Sequence, residues 1–487
     1  MTALLFLLIP TVSSVLLLLF HRNRVMAQWV NLVFNFLWAA GLFKLWMEFR
    51  VQPETSVFPI WFSWDWAPFI GSRFSLAIDG LNFPLLALNV VLSLSLAFYA
   101  IGHEKLSASY LALFSFLNAA SVGSLMAADA AAFYLFWELM LIPMYFLIGK
   151  WGSKNRIYAS LKFFGFTMAG SLLLLGAIVY VGLNSPSLGW HDLKEQRWVF
   201  DGWFSPQALL FLGFLAAFAV KIPVWPLHTW LPDAHTEAPT GASVILAGIL
   251  LKLGVYGIAR WCFVLFPEAS LASSTFMMGL GVVGVILGSL SAMAQKDIKR
   301  TIAYSSVAHL GFMVIGLFAL REESIQGALF QNLAHGLSTG ALFLIFGMIY
   351  DRTHTRELKD YGGLATKNGV LATLFLFSAM ASIGLPGLPG FVGEFLVLSG
   401  SFVTNPWLTI LAMSGILLGA VYMLSAMKKI LYGEVSPTLE AHPVVLKWSE
   451  WMAIAPMVVL MLILGLMPQG FLKLSESAVL GMLSVFK

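Results

Sequence analysis

Four ionisable residues lie inside apolar runs long enough to cross a membrane. They are Glu138 in AAFYLFWELMLIPMYFLIG, Lys221 in LLFLGFLAAFAVKIPVWP, Lys252 in ASVILAGILLKLGVYGIA and Glu394 in GLPGLPGFVGEFLVL. A charge at the bilayer centre costs at least ~2.5–3.5 kcal/mol, so each needs a partner or water. Two acids and two bases at such depth suit the loading and release of protons. Burial disfavours the charged form of a group and pairing restores it, so a lysine held between these pulls can exchange its proton when its partner moves. The plainer role is a Glu–Lys pair that pins helices together, and both roles can coexist.

Histidines extend this set. His228 follows Lys221 by seven residues, and His309 (SSVAHLGFM) and His335 (NLAHGLSTG) lie among small residues inside spans. Neutral imidazole with an ordinary pKa of ~6.5 is a proton relay, though a hydrogen-bonded packing residue is the simpler alternative. His235, with Asp233 and Glu237, reads as an inner loop and suits the mouth of a path. His21, His103, His191, His354 and His442 read as interfacial or loop residues. Because the histidines are spread over separate spans, no metal site is expected.

The elements that position these residues must be membrane helices. Of 487 residues, 59% are hydrophobic and 11% charged, whereas soluble domains carry about 25% charged residues. The expected fold is an all-α polytopic membrane protein of about fourteen spans, centred near residues 11, 37, 90, 117, 139, 169, 218, 251, 283, 309, 338, 385, 418 and 460. With the amino terminus outside, sixteen of the 28 lysines and arginines fall in inner loops and eight outside, as the positive-inside rule requires. Arg260 belongs to the outer set and Lys299 to the inner. Lys44 can snorkel to the interface from its helix end, and Lys162 sits in the first turns of its span. Both termini are expected outside. The first apolar run reads as a retained helix, and a single cysteine, Cys262, excludes an internal disulfide and a cysteine-ligated iron–sulfur cluster. No glycine-rich phosphate loop is visible and nothing suggests a nucleic-acid partner.

Prolines and glycines break two spans. Pro223 and Pro226 remove the amides that would bond the carbonyls of residues 219 and 222. Those carbonyls need water or side chains, since lipid supplies no partner. Pro386, Pro389, Gly384, Gly387 and Gly390 make a second break in the twelfth span. Two broken spans, five apart and opposite in direction, point to inverted repeats. The expected division is 1–106 for spans one to three, 107–266 and 267–433 for the two five-helix repeats, and 434–487 for a C-terminal helix. In the outer loop at 50–80, WFSWDWAP suits an interfacial aromatic belt and RFSLAID a short strand.

The stretch AFAVKIPVWPLHTWLPDAHTEAPTGASVILAGILLKLGVYG, together with AQKDIKRTIAYSSVAHLGFM, FYLFWELMLIPMYFLIG and GLPGLPGFVGEF, resembles the antiporter-like membrane subunits of respiratory complex I. The likeness spans essentially all fourteen helices. That family has three bacterial kinds, L, M and N, and cousins in sodium/proton antiporters and hydrogenase-linked complexes. The broken twelfth span typically carries lysine in the L and N kinds and glutamate in the M kind, so Glu394 places the resemblance with M. The short tail after the fourteenth span also departs from the L kind, which continues into a long lateral helix. The resemblance implies that Glu138 and Lys221 form an ion pair at the input side. It implies that Lys252 is the central carrier, that Glu394 leads to the exit, and that His228, His309 and His335 connect them. It further implies that NADH, FMN, iron–sulfur clusters and quinone bind other subunits. The implied location is a bacterial inner membrane with periplasmic termini, among L-type and N-type neighbours and lipid. The alternatives are a subunit of a multisubunit sodium/proton antiporter or hydrogenase-linked complex, and a purely structural membrane spacer.

Overall fold

The computed structural model describes residues 1–51, 58–442 and 444–486. Twelve of its helices are long and apolar enough to cross a membrane. Where the seventh and twelfth spans were expected, shorter apolar helices stand instead: Pro206–Lys221, Gly369–Ser382 and Pro389–Thr404.

Both breaks follow from the residues. At Pro223 the chain cannot continue its ladder, and the Val224 amide reaches back to the Ala219 carbonyl at 2.8 Å. The indole of Trp230 donates to the Val220 carbonyl at 3.0 Å. The opened end of this helix therefore finds partners within the protein for residues 219 and 220, and at 219 the partner is a backbone amide where water or a side chain was expected. The chain then resumes as the Trp230–Glu237 helix. In the second break, Gly384 and Gly387 adopt φ of +76° and +89°, a region that glycine enters without a Cβ clash. A third interruption was missed: the Ala130–Trp151 span has a turn at Met140, beside Pro143, whose ring nitrogen cannot bond the Leu139 carbonyl.

Burial sorts the helices into a centre and a rim. The apolar windows of Thr240–Leu265, Ile298–Phe318 and Glu322–Thr353 are almost wholly covered by protein, whereas that of Arg24–Phe49 is 28% buried. The central helices carry Lys252, His309 and His335. Thr240–Leu265 is irregular, with π-helical turns at Leu246–Leu250 and Ile258–Cys262. Each π turn inserts a residue into the helical repeat and re-aims the face that follows. Lys252 sits between the two.

The amino terminus and the hairpin share one end of the bundle. Ile60–Ala67 pairs antiparallel with Ser72–Ala77, with Trp64 opposite Phe74 and Asp65 opposite Arg73. RFSLAID thus forms a strand as expected, and the aromatic WFSWDWAP stretch is its partner strand. The carboxy-terminal region holds two helices, Trp448–Leu466 and Gln469–Leu483, where one was expected. The second returns over the same end, its Leu474 carbonyl so close to Gly80 that a Cβ there would lie 1.8 Å away.

Matching details recur at the two ends. Asp129 caps the Ala130 helix by accepting from the amides of Ala131 and Ala132, and it forms an isolated bridge with Gly189. Asp297 caps the Ile298 helix by accepting from Lys299 and Arg300, and it bridges Glu357.

Two residues assigned to loops lie in the interior. Arg260 is 3% exposed and Lys299 is 2% exposed. Arg260 donates to both oxygens of Asp79 at 2.6 and 2.7 Å, and its guanidinium lies 3.7 Å from the centre of the Phe58 ring. Counting by chain position put it outside the bilayer; a carboxylate and an aromatic face allow it to be covered.

Candidate functional site

Lys252 emerges between the two π turns and points at the Glu322–Thr353 helix, where its Nζ meets Nδ1 of His335. The ring centres of His335 and His309 are 5.5 Å apart. His309 Nδ1 lies 3.1 Å from Glu394 Oε1, and its Nε2 lies 3.3 Å from the Ser382 hydroxyl. Four expected residues from four helices thus form one continuous line, all with 4% exposure or less. Among the described residues, Nε2 of His335 has no partner. A buried ring nitrogen left open beside a second imidazole is a place for a bridging water.

Close backbone approach assembles this line. A Cβ on Gly254 would lie 2.8 Å from the Phe218 carbonyl, so glycine lets the Lys252 helix press against the Lys221 helix. A Cβ on Gly384 would lie 2.8 Å from Glu394 Oε2. The second break therefore folds its bare backbone over the carboxylate.

Gln331 donates from Nε2 to Glu394 Oε1 at 3.2 Å. Tyr422 lies near Glu394, with its hydroxyl buried close to Ser305. Gln331, Ser382 and Tyr422 were missed. They carry no formal charge at neutral pH, and single polar residues on long helices give no signal without their neighbours. Glutamine and serine repeated at the level of Glu394 are visible only after folding.

Glu138 and Lys221 depart from the expected ion pair. Their charges are close enough to interact, yet Glu138 Oε1 and Lys221 Nζ have no hydrogen-bond partner, and among the described residues no salt bridge joins them. Lys221 instead lies 4.9 Å from the centre of the Trp137 ring, where a cation is attracted by the negative aromatic face. Trp137 precedes Glu138, so the turn at Met140 presents both an aromatic and an acidic site to one lysine. Glu138 is half-buried, being on a helix with an open side. The structure makes no direct contact between Lys221 and Lys252. His228 does not join the line either. Its Nδ1 is buried without a partner, and it lies near enough to Lys162 for their charges to act on each other.

The expected mouth residues divide. His235 is fully buried, stacked on Phe343 at 4.7 Å between ring centres, with both nitrogens unpartnered. Its charge interacts with those of Lys299 and Lys252. Asp233 and Glu237 are held in ion pairs: Lys162 at 2.7 Å and Arg300 at 3.3 Å on Asp233, and Arg356 at 3.5 Å on Glu237. Arg356 also pairs with the capping Asp297 at 3.2 Å. Burial pushes the Asp297 carboxyl above its ordinary range, with Arg356 and the capped amides pulling the other way. These groups clamp the connections between helices. Asp233 is committed there, whereas Glu237, though paired with Arg356, also lines a cavity at this end.

A metal would need several ligands in one place, and among the described residues no group of three histidine, cysteine or acidic side chains could hold one. The arrangement is suited to moving protons between nitrogen and oxygen atoms within hydrogen-bond reach.

Residues 127–419 match the family model described as NADH:quinone oxidoreductase/Mrp antiporter, TM. The chain is 39% identical over 483 residues to NADH-quinone oxidoreductase subunit M of Rickettsia prowazekii, covering 98% of both chains. It is 38% identical to the subunit M of Pseudomonas aeruginosa, covering 95% of this chain and 93% of that one. A chain in the structure of respiratory complex I from Thermus thermophilus with bound NADH superposes with a TM-score of 0.90 at 29% identity, each covered in full. A chain of the Mrp complex from Dietzia sp. superposes with a TM-score of 0.85 at 21% identity, covering 99% and 97%, a likeness that bears on fold alone.

Proposed function

The chain belongs to the M-subunit family of NADH-quinone oxidoreductase, and from that membership we propose how its buried polar line carries protons. Family membership makes it an antiporter-like membrane subunit of that complex. The residue roles that follow are our reading of the geometry. The observation that carries them is the alignment of Lys252, His335, His309 and Glu394, with hydrogen-bond contacts at both ends and two imidazoles 5.5 Å apart between them.

The transfers follow from which atoms face one another. Protonated Lys252 donates to Nδ1 of His335, and the imidazolium releases a proton from its open Nε2. His309 takes it on the side facing His335 and Ser382 and donates from Nδ1 to Glu394. Gln331, by donating to the same carboxylate oxygen, stabilises the charged form of Glu394 until the proton arrives. Glu394 sits against the backbone break at Gly384, where the interrupted helix favours water, and it releases the proton there.

Lys221 is the movable charge. Its ammonium has an aromatic face at Trp137 and an acid at Glu138, and it is bonded to neither. A shift toward Glu138 moves positive charge away from Lys252, and a shift back repels a proton from Lys252. The half-buried Glu138 is placed to feel a neighbouring subunit, and L-type and N-type chains are the neighbours we propose. NADH, FMN, the iron–sulfur clusters and quinone would be held by other subunits. The broken helices, counted as the seventh and twelfth, bring the spans to fourteen, with both termini on the periplasmic side of a bacterial inner membrane. The matching caps and bridges of Asp129 and Asp297, at opposite ends, support inverted repeats at 107–266 and 267–433.

The test is Lys252→Met in the assembled complex reconstituted in vesicles. We expect proton pumping and coupled quinone reduction to fall by at least about tenfold, within the range of a lost proton-transfer group. Unchanged pumping per NADH in an assembled variant would reject the assignment.

A further inference from the structure

At the end of the bundle opposite the hairpin, helix ends and the connections between them surround a cavity of about 260 Å³. Its wall includes Tyr99, His103, Glu237, Lys299, Tyr350 and Asp351. By sequence, Glu237 reads as a mouth residue, Lys299 as an inner-loop cation and His103 as an interfacial or loop residue.

Three of them form one cluster. Asp351 Oδ2 accepts from the Tyr99 hydroxyl and lies 3.1 Å from His103 Nε2. The Tyr99 hydroxyl is 3.3 Å from the same ring nitrogen. On the other edge of the ring, the Lys105 amide donates to Nδ1 at 3.4 Å, so the neutral ring carries its proton on Nε2, aimed at Asp351. The loop is fixed from behind, because Gln28 bonds both the His103 carbonyl and the Gly102 amide. His103 and Asp351 keep 18% and 25% side-chain exposure, so solvent reaches them. Lys299, on the same cavity, is buried, and among the described residues its ammonium has one bonded acceptor, the Ala238 carbonyl at 2.9 Å. The remaining groups facing the cluster are Lys105, Glu237 and Tyr350 on the cavity wall. Tyr110, whose hydroxyl has no partner, stands behind it.

We propose that His103, Asp351 and Tyr99 form a proton-collecting site, and that it feeds Lys299 through the cavity. A proton from the aqueous phase binds Nδ1 of His103, displacing the weak Lys105 contact. The ring passes its Nε2 proton to Asp351 and is left neutral with its proton on Nδ1; exchange of that proton with water and reprotonation at Nε2 restore the starting tautomer. Water in the cavity then carries the proton from the Asp351 carboxyl to an unprotonated Lys299, whose own proton has moved inward. No electrons move, and one proton enters for each that leaves. Tyr99 is a positioning residue that holds the carboxylate toward the ring. The inference rests on the proposed proton-translocating role of the chain.

The experiment uses the assembled complex in vesicles, with quinone reduction and pumping measured against the pH of the phase bathing this end. A collecting site matters most where protons are scarce. Asp351→Asn and His103→Gln should therefore lose about tenfold in coupled turnover near pH 8.5 and recover most of it near pH 6.5. Glutamine keeps a hydrogen-bond donor toward Asp351 without a titrating ring, so it serves if the Asp351 variant fails to assemble. A loss of equal size at both pH values would mean a structural role and would overturn the proposal, as would no loss. Lys252→Met in the same assay separates the two readings. If it abolishes pumping while the cluster variants pump normally, the collecting site is wrong and the central line stands. If it too leaves pumping unchanged, the translocating role itself fails.

Discussion

Gly384 shows how one residue without a side chain can govern a charged one. It holds φ of +76° and leaves no room for a Cβ beside Glu394 Oε2. Gly384→Ala would add strain of about 1–3 kcal/mol for a non-glycine residue in that region, and would push the carboxylate away from the break. We expect it to assemble but to lose several-fold in coupled turnover, measured as quinone reduction and pumping in the same vesicles. Wild-type turnover would show that the close approach is incidental. Glu394→Gln removes the acid but keeps the shape, and should impair proton release more than assembly. The Arg260–Asp79 pair serves a different purpose. Both groups are buried among Phe58, Trp190 and Tyr256, so Asp79→Ala would leave an uncompensated guanidinium. Removing one partner of a buried pair costs about 3–5 kcal/mol, which should appear as a lower yield of assembled complex and a lower melting temperature.

Among the elements, the break after Lys221 depends on Trp230. Its fully buried indole is the partner of the Val220 carbonyl. Trp230→Phe keeps the ring but leaves that carbonyl unpaired, at a cost of about 1–3 kcal/mol. The expected result is a lower thermal midpoint of the assembled complex and weakened coupling, because the end of the Lys221 helix is no longer fixed. An unchanged midpoint would show that water replaces the indole without cost. The Glu322–Thr353 helix plays the complementary part. At 32 residues it spans ~48 Å, long enough to carry Gln331 and His335 at the central line and Asp351 near its far end. One rigid element thereby sets the spacing between the Tyr99–His103–Asp351 cluster and the central line.

The whole molecule has two unlike ends, and its single cysteine makes them testable. Cys262 is buried, so a cysteine placed elsewhere is the one reactive thiol expected on this chain. Phe69 is 87% exposed beside the hairpin, and Lys154 is exposed on an opposite connection. With a membrane-impermeant maleimide, Phe69→Cys and Lys154→Cys should be labelled from opposite sides of sealed vesicles, with mass spectrometry locating the adduct. Labelling of both from one side would overturn the assigned orientation.

The membrane class, the two proline-marked breaks and the four deep charged residues were legible in the sequence. Each rests on a local cost: hydrocarbon penalises a charge, and a proline removes an amide wherever it stands. Lys252, His335, His309 and Glu394 could be nominated one by one for that reason. Their order in space could not, because it depends on which helices cross and at what depth. The tertiary structure alone decided that Lys221 rests on Trp137 without bonding Glu138, that His228 stays off the central line, and that Asp233 and Glu237 are held in ion pairs. It also recruited Gln331, Ser382 and Tyr422, uncharged residues whose meaning comes from a carboxylate on another helix. His103 and Asp351 are 248 residues apart in the chain, and their pairing is set by the packing of the helices that carry them.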